Sequence, residues 1–356
     1  MSKIPVSVCI IAKNEEKHIE NCLSRLKPYG FEIVVTDTGS TDRTKEIAKK
    51  YADKVLDFEW IDDFAAARNF CVAHAENDWI LSLDCDEYVS SIDLEQLLLN
   101  MLGNKEKTGV LRLTNLFKNQ KGEDSYSSDD LPRMFHRDYY TFIFPIHEQI
   151  RSVDPALRKG VMPSFMLPME VIHHGYNISD EEMAVKNERN LRLLYKRLEE
   201  DPDDVYTLFQ IGQSERENPD KNVSIDFYER ALSHEHNVNI LYVQTCIIAL
   251  ATCYLEVGRN QDAFDLMNRY AGKINTTKFV FSHGSVYANC DQPLKALLMY
   301  IKTTAMPDVD TIGEHLTECY DHIIEIYTLL GQPDMAELFR DRYEKCVKER
   351  ERILNA

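Results

Sequence analysis

The chain has 356 residues, a length that suggests two domains. Its hydrophobic share of 44% is ordinary for a globular protein. Its formal net charge of −18 disfavours nonspecific binding to nucleic acid or to an anionic membrane. No apolar stretch approaches the roughly 18 residues that a membrane span needs, and the first residues, Met-Ser-Lys-Ile-Pro, lack the apolar core of a signal peptide. We therefore predict a cytoplasmic protein without a transmembrane segment.

The cysteines point away from both a zinc site and a disulfide framework. There are nine of them, an odd number, and none forms a Cys-x-x-Cys pair. In a protein of this size we expect them to be reduced and mostly buried.

The first half of the chain alternates strands with helices. Each β-branched run is followed by a short polar turn and then by a helical pattern of apolar residues. Such alternation predicts right-handed βαβ units and a largely parallel sheet. The predicted strands are residues 5–12, 32–36, 55–58, 79–83 and 109–114, and an Ala-rich helix is predicted over residues 63–75.

The fourth of these strands ends abruptly in acids. Residues 79–83 are Trp-Ile-Leu-Ser-Leu, and Asp84, Asp86 and Glu87 follow. Open α/β sheets bind ligands at the carboxyl ends of their strands, so we expect these three acids to line a cleft. An Asp-x-Asp pair can hold Mg²⁺ while a diphosphate completes the coordination shell. The alternative is a solvated acidic turn.

The other turns of the predicted sheet should converge on the same edge. Asn14 and Glu15 follow the first strand, and Asp37, Thr38 and Gly39 follow the second. An acid in this place can accept a hydrogen bond from a ribose or a pyrimidine ring, and glycine permits a tight turn. Alternatively, residues 39–42 only cap a helix.

Two further features could carry chemistry. Arg68 follows three alanines on a predicted helix and could reach a phosphate, although an ordinary surface arginine fits equally well. His147 and Glu148 follow an aromatic run, and a partly buried carboxylate makes a competent base. A structural His-Glu pair is the alternative.

Residues 118–130 are polar and predict a flexible loop or hairpin over the site.

Four motifs together resemble family 2 glycosyltransferases of the GT-A fold. They are Ser-Val-Cys-Ile-Ile-Ala-Lys-Asn-Glu-Glu at 7–16, Asp-Thr-Gly-Ser-Thr-Asp at 37–42, Ala-Arg-Asn at 67–69 and Leu-Asp-Cys-Asp-Glu at 83–87. The resemblance implies a nucleotide-sugar site, most simply for a UDP-sugar, with Mn²⁺ or Mg²⁺. The residues that it assigns to donor binding are Ala12, Asn14, Glu15, Asp37, Thr38, Arg68, Asp84 and Cys85.

The resemblance also implies metal ligands and a base. Asp86 and Asp84 would meet the metal, and Cys85 stands where small residues such as Ala are common, so its side chain should point inward. Many GT-A enzymes recruit a late histidine to the metal, which favours His173 over the adjacent His174 and Mn²⁺ over Mg²⁺. Inverting members use a downstream acid as base, for which Glu148 with His147 is the best-placed candidate.

The second half of the chain is repetitive. Ser179 and Glu182 predict a capping box at the start of a long helix that ends at Asp201-Pro202. Apolar and small residues then follow the 34-residue tetratricopeptide template, with units starting near residues 205, 244, 277 and 317. These helix pairs predict an acceptor-binding surface, or alternatively a structural cap or dimer surface. The last helix, residues 339–353, should be a solvated cap.

The sequence thus predicts an α/β GT-A type domain over residues 1–177 and an all-α tetratricopeptide-like repeat domain over residues 178–356. The predicted function is an inverting, metal-dependent transfer of a sugar to an acceptor. Resemblance to transferases that carry such repeats favours a protein or peptide acceptor. The alternatives are an envelope glycan acceptor and a noncatalytic scaffold that retains a relic transferase domain.

Overall fold

The computed structural model describes residues 4–118, 122, 124–158, 160–174 and 180–354. The chain divides into two compact units. The sheet unit contains Met1–Lys118 and Ser128–Ile178, and the repeat unit contains Asn119–Ser127 and Ser179–Ala356. The predicted domain boundary after residue 177 and the predicted capping residue Ser179 lie outside the described residues, so both stay predictions.

The predicted strands all form, and the structure describes eleven strands. In chain order they are β1 (Val6–Ala12), β2 (Glu32–Asp37), β3 (Lys54–Asp57), β4 (Trp79–Leu83), β5 (Glu87–Ile92), β6 (Thr108–Lys118), β7 (Asp124–His136), β8 (Tyr140–Ile143), β9 (Gln149–Ser152), β10 (Ser164–Met166) and β11 (Met169–His173).

The described strands form one large sheet and one hairpin. The large sheet has the order β3-β2-β1-β4-β7-β6-β11-β5, with β10 beside β6, and β8 pairs with β9. Strands β1 to β4 pair in parallel, as the alternation with helices predicts. The expected largely parallel sheet is confirmed for this part, and parallel pairs also join β6 to β10 and β11, whereas β7 runs antiparallel to β4 and β11 runs antiparallel to β5. The sheet is mixed.

Helices cover the parallel part of the sheet. Every residue of β2 is buried, which is the pattern of a strand covered on both faces. On one face Val8 and Ile10 pack with Leu23, and on the other Cys9 packs with Cys71. The helices of this unit are α1 (Ile19–Leu26), α2 (Thr44–Tyr51), α3 (Phe64–Ala73) and α4 (Leu94–Met101), with short 3₁₀ turns at Lys27–Tyr29 and Pro155–Leu157.

The register of the parallel strands fixes where their polar turns lie. Ala12 at the end of β1 pairs with Asp37 at the end of β2, and Ile10 pairs with Leu83 at the end of β4. The turns after β1, β2 and β4 therefore share one edge of the sheet, as we expect of parallel strands.

The repeat unit consists of paired helices. Four of them begin at Val205, Leu241, Thr277 and His315, close to the predicted unit starts, and each is followed by a partner. The helices are α5 (Asp180–Glu200), α6 (Val205–Ser214), α7 (Lys221–Ser233), α8 (Leu241–Glu256), α9 (Asn260–Tyr270), α10 (Thr277–Asn289), α11 (Pro293–Thr304), α12 (His315–Leu329) and α13 (Pro333–Leu354), with a 3₁₀ turn at Val309–Ile312.

Glycine and tyrosine set the spacing within two of the helix pairs, α6 with α7 and α10 with α11. A Cβ atom at Gly212 would lie 2.5 Å from the Tyr228 ring, and one at Gly284 would lie 3.0 Å from the Tyr300 ring. Both tyrosines are fully buried. The glycine therefore lets an aromatic ring pack against the backbone of the first helix in these two pairs. This packing explains why glycine and tyrosine recur at fixed positions of the repeat pattern in these two units.

Two general expectations can be compared with the whole chain. All nine cysteines are unpaired, and seven of them are buried, as predicted. Among the helices that the structure describes, none has the length and apolar character that a membrane crossing requires.

Candidate active site

Asp37 lies at the carboxyl end of β2, and one of its two carboxylate oxygens accepts hydrogen bonds. The side chain is 4% exposed, and its Oδ2 accepts hydrogen bonds from the backbone N–H groups of Gly39 (3.2 Å) and Ser40 (3.0 Å). Its Oδ1 is buried and has no hydrogen-bond partner among the described residues. A buried acceptor without a donor is costly. Such an oxygen is typical of a site that a ligand donor completes.

The turn after β1 is fastened to the turn after β2. The Asn14 backbone is left-handed, with φ of 57°, and its Oδ1 accepts from the Thr41 N–H (2.8 Å). The Glu15 N–H donates to Thr44 Oγ1 (2.7 Å), and Thr38 Oγ1 donates to the Ala12 carbonyl (3.2 Å). The Asn14 side chain thus holds the two turns together. Ala12, Asn14, Glu15, Asp37 and Thr38 are brought to one place, as the sequence predicts.

The acidic motif forms a tight turn between β4 and β5. The Glu87 N–H donates to the Asp84 carbonyl (3.2 Å), and the Asp84 N–H donates to Glu87 Oε2 (3.0 Å). Cys85 is buried, with Sγ 3.7 Å from the Ile11 carbonyl, so its side chain points inward. Glu87 is only 1% exposed. The expectation that Glu87 lines the cleft is wrong, because the turn directs it into the interior.

Arg68 of α3 lies among protein acceptors. It is 6% exposed, and it donates from Nε to Glu148 Oε1 (2.6 Å), from Nη1 to Ser82 Oγ (3.0 Å) and from Nη2 to Asp84 Oδ1 (2.6 Å). The alternative of an ordinary surface arginine is therefore wrong. Arg68 joins the predicted base to the first acid of the motif, and three of its nitrogen atoms face these acceptors.

Arg133 of β7 completes this ion-pair network, and the sequence analysis assigned it no role. Its Nη2 donates to Asp84 Oδ2 (2.9 Å) and to Glu87. Burial favours the neutral acid at Asp84, but the charges of Arg68 and Arg133 outweigh it and hold the pKa of Asp84 well below its usual range. Burial raises the pKa of Glu87, although Arg133 opposes the shift. Asp84 is consequently a fixed carboxylate whose two oxygens both accept from guanidinium groups.

The side chain of Asp86, in the turn before β5, lies against the side chain of His173 on β11. Asp86 Oδ2 and His173 Nε2 are 3.2 Å apart, and His173 Nδ1 is 2.9 Å from Asn115 Oδ1. Burial lowers the pKa of His173, but the hydrogen bond and charge of Asp86 outweigh it, so this pKa lies above its usual value. His174 instead stacks on Tyr88, with ring centroids 4.6 Å apart. The His174 N–H donates to the Asp86 carbonyl (3.0 Å), but it is the side chain of His173 that meets the Asp86 carboxylate.

The Asp86–His173 pair suits a metal that shares its shell with a ligand. The part of the chain that the structure describes contains no group of three or more His, Cys, Asp or Glu side chains arranged to hold a metal. One carboxylate and one imidazole nevertheless fit Mn²⁺ or Mg²⁺ when phosphate oxygens and water supply the remaining ligands. The donor set therefore fits a metal that binds together with a diphosphate.

The His147-Glu148 pair lies in the turn between β8 and β9. Two residues of this turn have left-handed backbones without being glycine, Phe144 with φ of 76° and His147 with φ of 49°. Pro145 accepts a hydrogen bond from the Phe64 N–H at the start of α3 (2.8 Å). Strained conformations cluster at functional sites. The Glu148 side chain is 15% exposed and reaches Arg68, which places it in the same network as Asp84.

Comparison with known proteins supports a transferase domain. Residues 7–148 match the family described as "Glycosyl transferase family 2". A TPR repeat-containing protein from Synechococcus elongatus is 31% identical over 220 residues, covering 58% of this chain and 51% of that protein. The SPbeta prophage-derived glycosyltransferase SunS of Bacillus subtilis is 28% identical over 250 residues, covering 67% of this chain and 56% of that protein.

This chain spans about half the length of these two relatives. Among solved structures, a crystal structure of MamA matches with a TM-score of 0.41 and 18% identity, over 48% of this chain and 95% of that chain.

Proposed function

Because residues 7–148 match the family described as "Glycosyl transferase family 2", we propose that this protein is an inverting, metal-dependent glycosyltransferase that uses a UDP-sugar and modifies a protein or peptide acceptor. The observation that carries the proposal is the Asp86–His173 pair, with 3.2 Å between carboxylate and imidazole. Asp86 belongs to the motif at 83–87 that the family match includes, and His173 lies beyond the matched residues. A SunS protein named a glycosyltransferase is among the relatives, which supports the same reaction class.

The donor would lie along the edge formed by the turns after β1, β2 and β4. The unpaired Oδ1 of Asp37 would accept a hydrogen bond from the nucleoside, and Thr38 and Glu15 would lie beside it. Asp86 and His173 would hold Mn²⁺ or Mg²⁺. When bound, that ion supplies positive charge that stabilises the departing diphosphate. Asp84, fixed by two arginines, would keep the acidic turn in place.

Glu148 would act as the base. Arg68 holds its Oε1, so Oε2 is the oxygen that would take the proton from the acceptor hydroxyl or thiol. As this proton moves, the acceptor oxygen or sulfur forms a bond to the sugar C1 and the bond from C1 to the diphosphate oxygen breaks. A single displacement of this kind inverts C1 and needs no covalent enzyme intermediate.

The repeat unit supports a polypeptide acceptor. Stacked helix pairs offer an extended surface on which a peptide can lie, and α6 to α13 form four such pairs. The same surface could instead join two copies of the chain. A cytoplasmic location, predicted from the sequence, belongs to this proposal too.

The test is metal-dependent release of nucleotide diphosphate. The protein is incubated with Mn²⁺ and each of a panel of UDP- and GDP-sugars, and the released UDP or GDP is measured. We expect release from a UDP-sugar, and a loss of about 100-fold or more in Asp86→Asn. Asp78→Asn, at a surface acid that pairs with Arg137, is the control and should behave as wild type.

Two results would contradict the proposal. Metal-dependent release that survives in Asp86→Asn would remove the metal assignment. No release from any sugar nucleotide, by a protein that is folded and supplied with Mn²⁺, would favour the noncatalytic scaffold.

A further inference from the structure

A row of polar side chains extends from His173 across the sheet. His173 of β11 pairs in register with Asn115 of β6, and β7, which carries Asp129, is the next strand. His173 Nδ1 lies 2.9 Å from Asn115 Oδ1, and Asn115 Nδ2 donates to Asp129 Oδ2 at 2.9 Å. Asn115 is 3% exposed. These contacts all lie within the sheet unit.

The chemistry of these groups fixes the orientation of each in turn. An ionised carboxylate only accepts hydrogen bonds, so Asp129 requires the NH₂ group of Asn115 to face it. The amide oxygen of Asn115 must then face His173, and because this oxygen also only accepts, His173 Nδ1 must carry a hydrogen. A neutral imidazole has one N–H. In the neutral ring Nε2 is therefore the atom that keeps its lone pair, whereas in the protonated ring Nε2 donates to Asp86.

That lone pair lies at the Asp86 carboxylate. Nε2 is 3.2 Å from Asp86 Oδ2, and two acceptors at this distance repel unless a positive charge lies against them. Metal-binding histidines commonly donate their other ring N–H to a carbonyl or carboxylate, which fixes the tautomer and the ring orientation. Asn115 supplies that carbonyl here, and Asp129 holds Asn115.

We propose that Asn115 and Asp129 are positioning residues that set the His173 ring so that Nε2 binds the divalent cation together with Asp86. This inference rests on the proposed function, since it assumes the metal of that site. Asn115 and Asp129 lie outside the four sequence motifs on which the family resemblance rests. Neither residue touches the reacting atoms.

The first test measures metal affinity, without turnover. Free Mn²⁺ is titrated by electron paramagnetic resonance at about pH 8, with and without UDP, for wild type and variants whose folding is checked by circular dichroism. Loss of a residue that orients a metal ligand typically weakens binding by about 10- to 100-fold, which we expect for Asn115→Ala. Asp129→Asn should give a smaller loss, because the new amide can no longer dictate how Asn115 is turned.

The chain offers a matched control and a rescue. Asp130 is adjacent to Asp129 on β7 and makes its own ion pair with Arg112 (2.8 Å), so Asp130→Asn changes the same chemistry without touching Asn115. Its Mn²⁺ affinity should equal that of wild type. The double variant Asn115→Asp with Asp129→Asn exchanges carboxylate and amide at constant charge, rebuilds both hydrogen bonds and should recover most of the affinity.

The second measurement reads the tautomer directly. Imidazole ¹⁵N shifts of His173, assigned through His173→Gln, should show Nδ1–H in the metal-free protein, and Asn115→Ala should move hydrogen to Nε2. If Asn115→Ala binds Mn²⁺ as wild type does, or if the neutral His173 ring carries its hydrogen on Nε2, the inference is wrong while the proposed function stands. If wild type binds no Mn²⁺ with UDP present, the inference and the metal of the proposed function both fall.

Discussion

Removing the Arg68 guanidinium should destabilise the sheet unit more than any exposed charge change would. Arg68→Leu deletes three hydrogen bonds, to Glu148, Ser82 and Asp84, from a residue that is 6% exposed. It leaves Glu148, whose side chain is 15% exposed, without its ion pair. The variant therefore tests whether the network in the structure is a real energetic unit.

The size of the effect follows from burial. Breaking a buried ion pair by removing one partner costs about 3–5 kcal/mol, because the other charge stays buried and uncompensated. Asp84 keeps its bond to Arg133 and its side chain is 36% exposed, so the larger part of the cost falls on Glu148. We expect a loss near the lower bound, about 3 kcal/mol in the free energy of unfolding.

Urea denaturation followed by tryptophan fluorescence is the assay. The chain has two tryptophans, and Trp60 and Trp79 both lie in the sheet unit, so the signal does not mix in the unfolding of the repeat unit. Arg137→Leu is the control, because its pair with Asp78 has side chains that are 31% and 57% exposed. Exposed pairs contribute about 0–1 kcal/mol.

A double variant separates lost charge balance from lost packing. Arg68→Leu with Glu148→Gln removes the unpaired charge and should recover part of the stability that Arg68→Leu alone loses. If Arg68→Leu lowers the free energy of unfolding by no more than Arg137→Leu does, the buried network does not stabilise the fold and the reasoning fails.

Two further predictions use other parts of the chain. Glu148→Gln should keep donor affinity and lower the transfer rate by about 10²- to 10⁴-fold, measured by UDP titration and initial rates; an equal loss of donor affinity would make Glu148 a binding residue. Burial lowers the pKa of His283 to about 4 from 6.5. Between these pH values the unfolded chain binds a proton at His283 that the folded chain does not, so the free energy of unfolding falls as the pH drops from 6.5 toward 4. Helical circular dichroism in urea should show wild type losing up to about 1.4 kcal/mol per pH unit more than His283→Gln, and equal slopes would contradict this.

The elements that the sequence predicts well are those that local pattern determines. The runs Val6–Ala12 and Trp79–Leu83 are mostly apolar on both faces, which is the pattern of a central strand covered on both sides. The repeats can be recognised in the sequence partly because the rings of Tyr228 and Tyr300 pack where only the glycines Gly212 and Gly284 leave room. In both cases the requirement acts between residues that are near in sequence.

The site depends on pairings that local pattern does not encode. Arg133 reaches Asp84 because β7 inserts antiparallel beside β4, a contact between residues 49 apart. Asn115 meets His173 across 58 residues for a similar reason. Glu87 belongs to the same short acidic motif as Asp84 and Asp86, yet the turn at Asp84 directs its side chain inward. A run of acids in the sequence does not show which of them the backbone will bury.

The central claim is that Asp37 and the Asp86–His173 pair belong to one site, which binds a nucleotide diphosphate together with a metal. Isothermal titration of UDP in Mn²⁺ and in EDTA tests it most directly, because linked binding must appear as a change in UDP affinity. We predict that Mn²⁺ tightens UDP binding by at least about 10-fold in wild type and not in Asp86→Asn, whereas Asp37→Asn weakens UDP binding under both conditions. Equal UDP affinity with and without Mn²⁺ in wild type, or unchanged affinity in Asp37→Asn, would contradict the account.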